Sequence, residues 1–452
     1  MLLGAFYSYA QSELTFPFMR NVFQTTYLNP AARSEHKISI GLPGMSSIYI
    51  QSISNGFVPN SVVTRISDTL RIDPNKLVDQ LADQNMIFAN VDVDLFHLKI
   101  RFYNTDLWLG VRQRHNFSFF YPKDLFALAV KGNSEMIGQK MDFGTLGFDL
   151  SLFREYTLGM STEYDKWIFG GRVSLLQGLS NMYLKPNDLY ATIEDDMFNH
   201  TFVGDAVVRT AGIPITYDRY GAISSLNTDL FSNTEWLTSY LKRFRNPGAS
   251  ISLGASYKFD SRTTFSLSFS DIGFINWNDS TLNYRVKDNG EAFFNGVDAI
   301  GDWLRGNEFN ADSTLAEFLK NFDDEEFEGS YTTWLAPKMY VTASYQLARR
   351  THLGFQFYGV MNRRFYPAFT MGFSQGIGRV FSLALTGSFN QRTITNLGFG
   401  LVIKPGPFQI YMLADNYFTP VVDPLSFSNL NFRFGVNLVF GKVRRQTGIS
   451  YK

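Results

Sequence analysis

Hydrophobic and polar positions alternate along most of this chain with a period of two. In NFRFGVNLVF, residues 431–440, Phe432, Phe434, Val436, Leu438 and Phe440 fall on one face. Asn431, Arg433, Gly435 and Asn437 fall on the other, and Val439 alone spoils the polar set. Such alternation marks a strand with one oily face and one wet face. ASISLGASYKFD repeats it, with Ile251, Leu253 and Tyr257 against Ser250, Ser252 and Ser256. The turn Asp260 to Thr263 then leads into Phe265, Leu267 and Phe269, spaced by serines. Tyr156, Leu158 and Met160 oppose Glu155, Thr157 and Glu163; after a short turn, Trp167, Phe169, Val173 and Leu175 oppose Lys166, Arg172 and Ser174. From residue 338 onward the pattern hardly pauses.

These runs are about 9–12 residues long, whereas the usual strand of a soluble protein has five or six. A tilted strand needs about that length to cross a bilayer. The polar face decides which medium the oil meets. A soluble sandwich or barrel hides its oil and shows Lys and Glu; here the face opposite the oil is Ser, Thr, Gly, Asn and Gln with scattered charges, which suits a crowded lumen. Aromatics crowd the run ends, at Tyr257 and Phe259, Tyr417 and Phe418, and Phe440, as interfacial girdles require. The pattern predicts an all-β transmembrane antiparallel β-barrel of about 14–16 strands, oil toward lipid. Short turns at 404–407, 375–380, 348–351 and 260–263 belong on the periplasmic side. The long connections at 188–247, 278–337 and 417–428 then fall outside.

Composition sharpens this picture. Charged residues make up 18% of 452, against about 25% in typical soluble proteins, and aromatics reach 16%. Lys plus Arg equals Asp plus Glu at 41 each, so no overall field draws nucleic acid. There is no cysteine, which excludes disulfides and thiolate chemistry. No run approaches the roughly 20 apolar residues of a membrane-spanning helix. MLLGAFYSYA, residues 1–10, reads as the remnant of a secretory signal peptide; residues 11–440 read as the barrel and 441–452 as a basic tail. Short helices are expected in loops, at 74–83, 123–131 and within 294–321.

The segments TYLNPAARSEHKISIG with Asn29-Pro30-Ala31, SFFYPKDLFALAVKGN (118–133), FREYTLGM (153–160), GGRVSLLQGLSN (170–181) and LADNYFTP (413–420) carry a resemblance. Together they resemble a Bacteroidota outer-membrane barrel family of unknown function, related to the fatty-acid-transporter-like and PorV-type barrels. The resemblance spans Asn29 to Phe440. It implies an integral outer-membrane barrel and brings no catalytic residues and no cofactor. The tail beyond Phe440 departs from the terminal aromatic usual in such barrels.

Candidate chemistry is sparse. Gly372-Phe373-Ser374-Gln375-Gly376 matches G-x-S-x-G, but that motif needs a strand-to-helix turn and here it closes an alternating strand. The five histidines lack ligand spacing, and the acidic run at 323–328 lacks the spacing of a calcium loop, so it reads as a solvated loop. No catalytic, cofactor or metal residue is assigned, and the chain is not read as an enzyme. The candidate lumen charges are Glu155, Glu163, Lys166, Arg172 and Arg433, which brace the interior if paired and line a pore if not. Arg363 and Arg364, on the outer side, are candidates for lipopolysaccharide phosphates. Outer-membrane lipid and lipopolysaccharide are thus expected partners, along with other outer-membrane or periplasmic proteins. The first functional expectation is an accessory or docking subunit of an outer-membrane complex. The alternative is a fatty-acid-transporter-like barrel passing a hydrophobic ligand, for which inward oil at Leu413 and Val439 is the hint.

Overall fold

The computed structural model describes residues 13–19, 21–56, 63–66, 69–131, 136–184, 187–193, 200–212, 215–217, 223–226, 245–286, 291–292, 324–362, 364–389, 396–416 and 429–443. Among these, fourteen antiparallel strands close a barrel. β1 is split into His36–Gly41 and Ile48–Ser54. β2 (Gln84–Phe102), β3 (Thr105–Pro122), β4 (Gly147–Tyr164), β5 (Trp167–Leu184), β6 (Pro247–Lys258) and β7 (Thr263–Trp277) follow. β8 has two parts, Tyr331–Trp334 and Lys338–Ala348. β9 (Thr351–Asn362), β10 (Arg364–Ile377), β11 (Phe381–Phe389), β12 (Asn396–Ile403), β13 (Phe408–Ala414) and β14 (Asn429–Lys442) complete the circuit. Both parts of β1 pair with β14 as well as with β2, so the wall formed by these fourteen strands closes on itself. Closure is what lipid demands, since an unpaired amide in hydrocarbon finds no water.

The exterior is oil. Leu158, Met160, Val173, Leu175, Leu253, Phe265, Met371 and Leu397 are exposed, while their strand neighbours Ser161, Ser174, Ser252, Thr370 and Asn396 are buried. In the opening decapeptide, Phe432 and Phe440 are exposed and Asn431, Arg433, Asn437 and Val439 are buried. The chain is an integral β-barrel of the outer-membrane type.

β1 begins at His36 beside Lys442 of β14. The same end carries the tight turns at 103–104, 165–166, 259–262, 349–350, 378–380 and 404–407. With both ends of the circuit there, it is the periplasmic end. β2 to β5 run to 18 or 19 residues, well beyond the expected lengths. The excess rises past the apolar band into an outer collar. There His200–Ala211 pairs with Asn187–Ile193, the end of β5 and Thr281–Val286. Thr281–Val286 in turn pairs with Asp324–Phe327. Most of the acidic run is therefore a hydrogen-bonded strand, not a loop; Asp323 lies outside the described residues. Helices α1 (Pro74–Gln80) and α2 (Lys123–Lys131) sit in outer connections, the first capped by Asp73, which accepts from Asn75 N and Lys76 N. The candidate helices within 294–321, the signal-like residues 1–10, Tyr417, Phe418 and residues 444–452 of the tail lie outside the described residues.

Candidate functional site

Ahead of β1, residues 13–19 and 21–35 leave the wall and cross the lumen. Their sequence explains why: in LTFPFM the alternation of Leu14, Phe16 and Phe18 is brief, and Pro17 lacks the N–H a ladder needs. Two 3-10 turns, Phe16–Phe18 and Phe23–Tyr27, pair several of the segment's amides locally. The segment is a plug, fastened at three levels. Near the outer end, Asp415, just past β13, accepts from Leu14 N at 2.9 Å, Thr15 N at 2.7 Å and Asn431 Nδ2 at 2.7 Å. Burial pushes the Asp415 carboxyl above its ordinary range, while the Thr15 and Leu14 donors pull it back. Beside it the Thr15 and Thr386 hydroxyls meet at 2.7 Å, and Glu13 pairs with Arg433. Halfway down, Gln24 exchanges side-chain hydrogen bonds with Asn437 and donates to Ser46 O. At the periplasmic rim, Arg33 reaches Glu163 at 2.6 Å and Asp106 at 3.4 Å.

The Asn29-Pro30-Ala31 turn has a physical reason. Asn29 Oδ1 accepts from Ala31 N at 2.8 Å, and the turn lies directly on wall glycines. A Cβ at Gly170 would stand 2.2 Å from the Pro30 carbonyl carbon, and one at Gly254 would stand 2.1 Å from Asn29 Oδ1.

The two sides of the lumen differ. On β8 to β13, Tyr340, Tyr358, Val360, Tyr366, Ala368, Ala384, Val402, Tyr411 and Leu413 form an inward apolar stripe. Leu14, Phe16, Phe18, Met19 and Val22 of the plug cover it, each such burial worth about 1.5–3 kcal/mol. Leu413, the sequence's hint of inward oil, belongs to this stripe; Val439 is buried on β14 and is not part of it.

The opposite side is ionic. Arg112 meets Glu155 at 2.6 Å and Asp92 at 3.5 Å. Arg114 reaches Asp271 at 3.1 Å, and Asp271 also takes Arg172 and Lys338, each at 3.2 Å. β3 and β7 lie four strands apart, roughly 19 Å along the wall, so the Arg114–Asp271 bridge crosses the interior. The plug docks on this network through Tyr27, whose ring lies 4.4 Å from the Arg112 guanidinium. The Tyr27 hydroxyl donates to Asp94 at 2.6 Å and lies 2.9 Å from His97 Nδ1.

Four of the five candidate lumen charges face inward. Glu155 and Arg172 are core members of the network, Arg433 holds Glu13, and Glu163 sits at the rim between Arg33 and Lys258. Lys166 does not face the lumen: it is exposed in the 165–166 turn, where alternation has already ended. Arg363 lies outside the described residues, and only the backbone of Arg364 is described. Asp92, Arg112, Arg114, Asp271, Lys338 and the whole plug escaped sequence reasoning. Ser374 of the G-x-S-x-G match lies inside β10, paired with His352 of β9, with no strand-to-helix turn. Among the described residues no group of three acidic or histidine side chains is placed to hold a metal.

Beneath the plug a cavity of about 960 Å³ opens toward the periplasm. Pro17, Phe18 and Met19 form part of its lining, and Ser256, Thr342, Ser344 and His352 lie among its wall residues.

The profile of the family of unknown function DUF5723 matches residues 30–415. No curated protein matches the chain. Among solved structures, the toluene transporter TbuX of Ralstonia pickettii is similar at 10% identity over 92% of this chain and 93% of that one, with a TM-score of 0.44. The toluene transporter TodX of Pseudomonas putida is similar at 7% identity over 92% of each chain, TM-score 0.40. The CymD monoaromatic hydrocarbon channel is similar at 6% identity over 96% of this chain and 95% of that one, TM-score 0.43. Likenesses at this level carry no function across.

Proposed function

The chain belongs to that family of unknown function, and from this premise we propose that it is an outer-membrane channel with a built-in plug, which passes hydrophobic small molecules when the plug yields. The observation behind this reading is the oily inner stripe on β8 to β13, covered by the chain's own Leu14, Phe16, Phe18, Met19 and Val22. Lumen-facing positions of membrane barrels are ordinarily polar, so a continuous inner stripe of oil is a surface suited to an apolar solute once the plug leaves it. The covering segment continues into β1, so it is tethered and can be displaced without being lost. A hydrophobic solute that takes its place on the stripe recovers the same burial that Phe16 and Phe18 give up.

The sequence alone put a docking subunit first; the stripe reverses that order. The test is uptake of the hydrophobic dye 1-N-phenylnaphthylamine by whole cells whose lipopolysaccharide leaflet slows apolar solutes. Cells producing the protein should take up the dye several times faster than cells without it. Equal rates would remove the support for a passage and return the docking role to first place.

A further inference from the structure

We infer that the roof of the periplasmic cavity is a binding site for a small amphiphile, an apolar ring or short chain bearing a group with adjacent hydrogen-bond donor and acceptor, such as a carboxamide. The inference rests on the passage proposed above and adds the chemistry of what it passes. Two neighbouring features of the wall carry it.

The first is a socket. Gly354 of β9 and Gly372 of β10 are cross-strand partners. A Cβ on either would stand 2.6 or 2.4 Å from the Phe18 ring. Only the absence of side chains at both positions lets a ring lie flat on the wall there, and the chain's own ring fills the space.

The second is an orphaned amide. One rung along β9, about 7 Å away, Gln356 stands between Thr342 and Thr370. It is fully buried, and neither its Oε1 nor its Nε2 has a partner. Thr370 pairs instead with Ser388, at 3.1 Å. A buried amide with both ends unmade is expensive, and native structures seldom keep one without a function or a bound molecule. Phe18 and Gln356 line the same cavity, so a solute entering where Phe18 sits meets the amide next. A pure hydrocarbon fills the socket only. A ring with a carboxamide fills the socket and completes Gln356 with two hydrogen bonds, one given and one taken.

The test measures binding of two probes, benzamide and ethylbenzene, to the full chain in detergent. The variants are Phe18→Ala, which empties the socket, and Gln356→Leu in that background. Phe18→Ala should bind both probes more tightly than the parent. Adding Gln356→Leu should weaken benzamide about tenfold or more and leave ethylbenzene within about twofold. Gln356→Met gives the same comparison if the leucine variant does not assemble. An unchanged benzamide-to-ethylbenzene ratio would overturn the site, because the amide would then be satisfied by water alone. Dye uptake keeps the two readings apart. If uptake proceeds but neither probe binds any variant, the site falls and the passage stands. If the probes bind as expected but uptake fails, the passage falls.

Discussion

Replacing Asp271 with alanine will cost the barrel about 3–5 kcal/mol of stability, the expected price of breaking a buried ionic network from one side. Asp271 is the shared partner of Arg114, Arg172 and Lys338. Arg114 and Arg172 are buried, so they cannot turn to water when the carboxylate goes. Glu155 and Asp92 would then have to balance both arginines along with Arg112. The urea midpoint of tryptophan fluorescence, measured in lipid vesicles, should fall accordingly. Lys442→Ala, which removes the largely exposed pair with Glu35, should change the stability by no more than about 1 kcal/mol. If the two variants behaved alike, the network would not brace the interior.

Gly170→Val will open a conducting path through a barrel that is otherwise closed. The new side chain would start 2.2 Å from the Pro30 carbonyl carbon and 2.3 Å from its oxygen. These are backbone atoms, which cannot rotate aside as a side-chain tip would. Valine suits a strand, so β5 should keep its ladder while the Asn29–Ala31 turn is pushed off the wall. Single-channel recordings in planar bilayers should change from a mostly silent trace to long open steps. Persistent silence would mean that residues 29–31 can shift without loosening the plug above them.

The barrel was legible in the sequence and the plug was not, for one physical reason. Alternation is imposed by a wall with two different media, so Phe432 and Arg433, or Leu175 and Arg172, reveal their sides at once. Where inner and outer positions are both apolar the code fails. Trp108, Tyr340, Tyr358 and Tyr411 point inward and are buried, yet in sequence they read like girdle aromatics. That ambiguity hid the oily stripe, apart from Leu413. Asp92 and Asp94, and Arg112 and Arg114, stand two apart on long strands and could have been read as inward charges. Their partners on β7 and β8 could not, since the contacts depend on how the closed wall curves. The plug alternates only over Leu14, Phe16 and Phe18, too briefly to mark a strand; its signals are a proline within that stretch and glycines on distant strands that make room for it.

If the plug gates a hydrophobic route, a reversible lock on it should stop and restore passage. The chain has no cysteine, so Thr15→Cys with Thr386→Cys can form only one disulfide. The two hydroxyls now lie 2.7 Å apart, so the two side chains that would carry the sulfurs already meet. The measurement is dye uptake by cells producing this double variant, oxidised and then reduced. Uptake that falls to the level of cells lacking the protein on oxidation, and returns on reduction, is the predicted result. Uptake that is the same with the plug bolted to β11 would mean that the plug gates no hydrophobic route.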